Sequence, residues 1–185
     1  EYYRAGLANF VLGGAFNSRI NLNLREDKGY TYGAGSNFSG QEDYGVFTAS
    51  AAVRTDATTA SVVEFLKELR NYAENGITPD ELSFTRNAIG QSEARRFETP
   101  SQKLSFLARI LAYDLEDNYI DQQNAILASV TAVELNAIAA RHMQVNEMII
   151  VVVGDRESIL PGLQTLGYDI VHLDEDGNTV AGATL

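Results

Sequence analysis

The chain contains no cysteine, so neither disulfides nor thiolate metal sites hold its fold. That absence leaves the compartment open, because a reducing cytosol and an oxidising periplasm both permit it. Basic residues are scarce: 14 Lys and Arg stand against 25 Asp and Glu, a formal net charge of −11. Nucleic acid and anionic membrane surfaces reward Lys and Arg, so the balance argues against both as partners, and solubility is the simpler reading of the charge. Long hydrophobic runs are missing too. The longest aliphatic stretch, Met148 to Val153, has the length of a strand and not of a membrane span. Histidine is limited to His142 and His172, and neither is followed by the Glu-His pair that a helical zinc site of the HxxEH type needs. No zinc site is expected from this chain alone. Repeats, low-complexity runs and linkers are also lacking.

What is present suits one globular domain: 185 residues, 45% of them hydrophobic, enough for a sizeable core. The chain opens on Glu1 within a helical pattern and has no initiator Met, so it is read as a piece of a longer protein whose targeting sequence would lie upstream. Domain organisation is read as a single α+β unit over 1–173 and a polar, glycine-containing tail over 174–185.

The segment from Asn9 to Gly35 organises the rest. Leu7, Phe10 and Val11 close an apolar helical face, and Gly13-Gly14 stops it. A second short helix carries Ile20 and Leu24 on one side, with Arg25 on an adjacent face. Lys28-Gly29 ends it, a cation in the last turn followed by a residue tolerant of left-handed backbone. Tyr30 and Tyr32 follow on an extended segment and, two apart, are expected on one strand face. The outcome is an arginine at a helix end and a tyrosine at a strand start, joined by a tight turn.

Helices are expected over 2–12 and 17–27, then a β-hairpin over 30–39 and 44–54 with Ser39-Gly40 at its turn. Small residues at 33, 35 and 49–52 suggest a sheet face closely approached by a helix or an extended peptide. Asp56 reads as the N-cap of a helix carrying Val62, Phe65, Leu66, Leu69, Tyr72 and Ala73 on one face. Thr78-Pro79-Asp80-Glu81 is a capping box opening a helix to about Phe97, and Thr131 with Glu134 is another, opening a helix to about His142. Between them Thr99-Pro100 starts a helix over about 101–115, apolar on two faces and therefore expected to be deeply buried; a shorter helix follows over 118–128. Residues 147–153 read as a strand covered on both faces. A helix interrupted by Pro161 and a last short strand over 168–173 complete the order, which is that of an α+β fold with an antiparallel sheet packed against a layer of helices.

The run SRINLNLREDKGYTYGAG resembles the segment SRL…LRE(K/D)(R/K)G(L/Y)xY of the pitrilysin, insulinase and mitochondrial processing peptidase family, the inverzincin metallopeptidases, and LANFVLGG resembles the stretch leading into it. The likeness extends through about residue 155 and is most specific over 9–54. It implies the C-terminal, zinc-free half-domain of such a peptidase, lacking its first strands, with a sheet edge left open to pairing between chains and hence to homo-oligomers. It implies that zinc sits in a partner half, in the same chain or another subunit, and that the ligand is an extended peptide. Arg25 and Tyr32 match the arginine and tyrosine that the zinc-free half directs at the substrate, where they would bind a peptide carbonyl and the oxyanion formed from it. By the same likeness the chain alone is inactive and carries no cofactor, and the periplasm is the expected compartment, with the cytoplasm as alternative.

Two other readings stay open. In one, Arg25 merely pairs with Glu26 or Asp27 and Tyr32 packs at a strand start, within a structural or assembly subunit of the same fold. In the other, the domain is a stand-alone peptide-binding module using an open strand edge. Tyr30 is read as core. The glycines at 33 and 35 form no nucleotide-binding pattern, and the acidic run from Asp174 lacks the sixth-position glycine and the distal glutamate of a calcium loop.

Overall fold

The computed structural model describes the chain outside residues 41–43, 94–96 and 181–185. Its helices begin where short-range hydrogen bonds dictate. Thr131 accepts from the Glu134 amide at 3.2 Å while the Glu134 carboxylate accepts from the Thr131 amide at 2.7 Å, and this reciprocal cap opens one helix, Ala132–His142. Thr78 and Glu81 do the same at 3.3 and 2.8 Å before the helix Pro79–Glu93. A third box, Thr99 with Gln102, opens the helix Pro100–Ala112. Each box satisfies amides that a helix start would otherwise leave bare. Replacing Thr131 by alanine is expected to cost about 1 kcal/mol, read as a lower urea midpoint at unchanged slope; an unmoved midpoint would show that the box is decorative.

In order, the elements are α1 (Tyr2–Asn9), α2 (Arg19–Asn21), β1 (Thr31–Gly40), β2 (Gly45–Val53), α3 (Thr58–Asn75), α4 (Pro79–Glu93), α5 (Pro100–Ala112), α6 (Tyr119–Ser129), α7 (Ala132–His142) and α8 (Arg156–Gln164). This is an α+β arrangement, helix-rich with a two-stranded antiparallel sheet. Both helices of the first motif continue as π-helical turns, Phe10–Gly14 and Leu22–Asp27. In each, an amide reaches five residues back: Ala15 to Phe10 and Lys28 to Asn23, both at 2.9 Å. The wider turn shifts every later side chain around the axis.

The core forms where α1, α2, α3 and α7 meet. Leu7, Leu12, Ile20, Leu24, Tyr72 and Leu135 are essentially inaccessible, and the hairpin lays Phe38, Phe47 and Ala49 against this cluster. The expected alternation in β2 is present: Phe47, Ala49, Ala51 and Val53 are half-buried, while Val46, Thr48, Ser50 and Ala52 face solvent. The close approach expected of the sheet is made by the first helix. Asn9 donates to the Ser36 carbonyl at 2.7 Å, the Ser36 hydroxyl donates back to Asn9 Oδ1 at 2.5 Å, and Gly13 lies directly against the Ser36 backbone.

Several expectations are corrected. Ser39 and Gly40 pair with Val46 and Gly45, so they belong to the ladder and not to its turn; residues 41–43, between the strands, lie outside the described residues. Asp56 does not cap α3: it is drawn into an ion pair with Arg54 at 3.0 Å, and a 3-10 turn over Thr55–Ala57 leads into the helix instead. The described part of α4 ends at Glu93; the expected continuation to about Phe97 runs through 94–96, which lie outside the described residues.

Helix α8 passes through Pro161 without interruption, since the missing amide faces the carbonyl of exposed Glu157, which solvent can satisfy. Of the strand over 168–173 only the bridge Leu173 to Thr179 forms.

The larger corrections concern burial. Helix α5 has no buried residue; Leu104, Leu107 and Leu111 are 68%, 55% and 84% exposed. Residues 147–153 are not a strand either. Ile149 and Val153 are 90% and 95% exposed, and no ladder forms there. A strand exists through hydrogen bonds to a neighbour, and among the described residues no strand pairs with this segment.

Candidate functional site

The motif helix is held from two sides. Ile20 and Leu24 sink one face into the core. On another face Arg19 donates to both Glu81 oxygens at 2.7 Å and to the Gly76 carbonyl at 2.9 Å, and lies over the Tyr72 ring at 5.0 Å. Asn23 donates to Glu64 and Glu68 of α3 at 2.8 and 2.7 Å. The Arg19 pair carries opposing effects on Glu81: burial pushes its carboxyl up, but the guanidinium hydrogen bonds and the Thr78 amide hold it, on balance, below the ordinary 4.5.

Arg25 sits in the π-helical turn on a different face. Among the described residues its ion pair is with Glu26, spanning 3.5 Å between adjacent residues, and Asp27 is taken by Lys28 at 2.6 Å. The pairing foreseen as the structural alternative is therefore present but loose, of a kind worth about 0–1 kcal/mol. Unlike Arg19, Arg25 makes no hydrogen bond among the described residues. Its guanidinium lies 4.5 Å from the centre of the Phe16 ring, and a third of its side chain is exposed.

The turn after it is rigid. Gly29 adopts φ +62°, the Tyr30 amide donates to the Leu24 carbonyl at 2.9 Å, and Arg54 from the end of β2 donates to the Gly29 carbonyl at 2.7 Å. The ladder then breaks step. Thr31 pairs with Val53 and Ala34 with Ala51, so Tyr32 and Gly33 together stand opposite Ala52. Thr31 pins this bulge by donating to the Ala52 carbonyl at 2.6 Å and accepting from the Gly33 amide at 3.1 Å. A bulge re-aims the residues it contains: Tyr32 is 100% exposed, its phenol free in solvent. The packed position expected for Tyr32 under the structural alternative is thus not the one adopted. Tyr30 precedes the strand and is only half-buried, so it neither shares a strand face with Tyr32 nor belongs to the core. The π-helical turn bearing Arg25 packs against β1, which bears Tyr32.

Sequence reasoning passed over Phe16. Its sequence signal was slight, a large apolar residue two positions after the Gly13-Gly14 stop; in the fold it is 65% exposed and meets a residue nine positions on. His142 faces Glu1 at 2.8 Å and the Phe38 ring edge, remote in contacts from His172. Among the described residues no group of three or more His, Cys, Asp or Glu could hold a metal, so the donor set does not fit zinc.

Comparison with known proteins places these features in a family. Residues 1–89 match the family described as the peptidase M16 inactive domain. An uncharacterized zinc protease of Streptomyces coelicolor is 31% identical over 137 residues, 72% of this chain and 29% of that protein. The non-peptidase homolog YmxG of Helicobacter pylori is 27% identical over 152 residues, 80% of this chain and 34% of that protein. The chain thus spans about a third of these relatives. Among solved structures, a peptidase M16 inactive domain from Pseudomonas fluorescens superposes with a TM-score of 0.72 at 23% identity, over 79% of this chain and 35% of that one. A protease from Helicobacter pylori superposes with a TM-score of 0.61 at 17% identity, over 78% and 35%. The solved structures share the fold, and the family is carried by residues 1–89, the part of the chain that belongs to the peptidase M16 inactive-domain family.

Proposed function

We propose that this chain is the peptide-holding half of a zinc-protease-like protein, in which Arg25 and Tyr32 grip one carbonyl of an extended peptide while a zinc-bearing half does the cutting. The observation that carries the reading is the contrast in commitment. Arg19, Asn23, Thr31 and Arg54 are all tied into the structure around the turn, whereas the guanidinium of Arg25 and the phenol of Tyr32 are left with donors to spare. Two donors held by rigid elements and facing solvent suit an oxygen that gains charge during reaction. The open strand edges of the hairpin could align the rest of the peptide by backbone pairing. Water activation is assigned to the partner half, and the chain by itself is expected to be inactive.

The test pairs the chain with its zinc-bearing half and replaces Tyr32 by phenylalanine. Turnover of a peptide substrate should fall at least about tenfold, the worth of one hydrogen bond to a charged oxygen, with circular dichroism unchanged. Full retained turnover removes Tyr32 from the mechanism. A second reading is favoured by the Helicobacter pylori relative, a non-peptidase homolog: a structural subunit of the same fold. The two part on whether HxxEH stands in the same protein or in an adjacent gene.

A further inference from the structure

We propose that Phe16 is a positioning residue for Arg25, a third member of the peptide-gripping site; the inference rests on the function proposed above. Phe16 is 65% exposed, so burial in the core does not account for an aromatic side chain at this position. Its ring lies 4.5 Å from the Arg25 guanidinium carbon. The other partner of that guanidinium, Glu26, is adjacent in sequence and loosely placed at 3.5 Å, and 54% of its side chain is exposed. A long side chain on a helix end, held only by such a pair, samples many rotamers and loses that freedom when it binds. A ring beneath the guanidinium restricts it without using its N–H groups, because the cation rests on the π face while the donors point outward in the guanidinium plane. Hydrogen-bonded anchoring, as at Arg19, would consume the same donors a peptide needs.

The neighbouring structure keeps Phe16 in place. Asn21 donates to the Phe16 carbonyl at 2.7 Å and accepts from the Ala34 amide of β1 at 3.0 Å. The backbone under the ring is therefore tied, through Asn21, to the strand that carries Tyr32. The exposed ring and phenol and the partly exposed guanidinium stand on one hydrogen-bonded frame.

The test uses the full chain and equilibrium binding of a fluorescein-labelled extended peptide with leucine at its centre, followed by anisotropy. Phe16→Leu should weaken binding roughly threefold to tenfold, Phe16→Tyr should restore it, and Phe16→Leu should cost nothing further in an Arg25→Ala background. The Arg25 side-chain Nε–H resonance, displaced by the ring current in the parent, should return toward its free position in Phe16→Leu. Unchanged binding in Phe16→Leu with weakened binding in Arg25→Ala overturns the role of Phe16 and leaves the proposed function standing. An additive loss in the double variant, or an Nε–H resonance indifferent to Phe16, overturns it too. Unchanged binding in Arg25→Ala sinks the proposed function itself, and the role of Phe16 with it.

Discussion

Replacing Gly13 by alanine is expected to destabilise the fold by about 3 kcal/mol, the upper part of the range for overpacking. A Cβ at this position would stand 2.1 Å from Ser36 Oγ and 2.3 Å from the Ser36 backbone nitrogen. The hydroxyl could rotate away only by giving up its bond to Asn9, and the backbone nitrogen cannot move without breaking the β1–β2 ladder. Gly35 enforces the approach from the other side, where a Cβ would lie 2.7 Å from the Gly13 carbonyl oxygen. The helix and the strand therefore meet backbone to backbone, and neither glycine has a substitute. Urea unfolding checks this, with Gly33→Ala as control, because nothing lies within 4 Å of that position. Equal midpoints for the two variants would mean that the contact between helix and strand is looser than described.

Breaking the Arg19–Glu81 pair is expected to cost a similar amount. Arg19→Met strips three hydrogen bonds from Glu81 and the Gly76 carbonyl, and leaves a carboxylate about one quarter exposed without its cation. Loss of one partner from a buried pair typically costs 3–5 kcal/mol; with this much exposure about 3 kcal/mol is appropriate. The pair also gives the fold an acid dependence with a definite sign. The Glu81 carboxyl is held below its ordinary 4.5 in the folded state. Its contribution is therefore complete above 4.5 and is lost as the pH falls from there through the lowered folded value. Glu81→Gln should flatten that limb of the stability profile while lowering stability at neutral pH. An acid limb of unchanged steepness in Glu81→Gln would assign the dependence to other carboxylates.

What could be read from the sequence was what neighbouring residues decide among themselves. The boxes at Thr78 and Thr131 involve groups three residues apart, so they were legible, as were the glycine stop at Gly13-Gly14 and the alternation of Phe47, Ala49 and Ala51. Arg25 and Tyr32 could be placed on either side of a turn for the same reason. The bulge at Tyr32 and Gly33 could not, because it depends on the Thr31 hydroxyl meeting a carbonyl across the ladder. The Arg25–Phe16 stack is likewise a product of two helix ends folding back together. Asp56 was misread because its local role as a cap lost to a charge two residues away. The apolar patterns of α5 and of residues 147–153 were read correctly as apolar and wrongly as buried. Periodicity records what a segment would prefer to touch, and says nothing of whether the partner is within the same 185 residues.

The stretch from Ile149 to Val153, exposed at every position but the half-buried Val152, sets how this polypeptide will behave in a tube. Each copy displays an apolar ribbon that joins no ladder among the described residues, the raw material of intermolecular pairing. Mutual repulsion at a formal charge of −11 works against such encounters, and that repulsion fades with added electrolyte and vanishes near the isoelectric point of about 4.5. Turbidity is therefore expected to arrive first at the acid end and to grow with added salt.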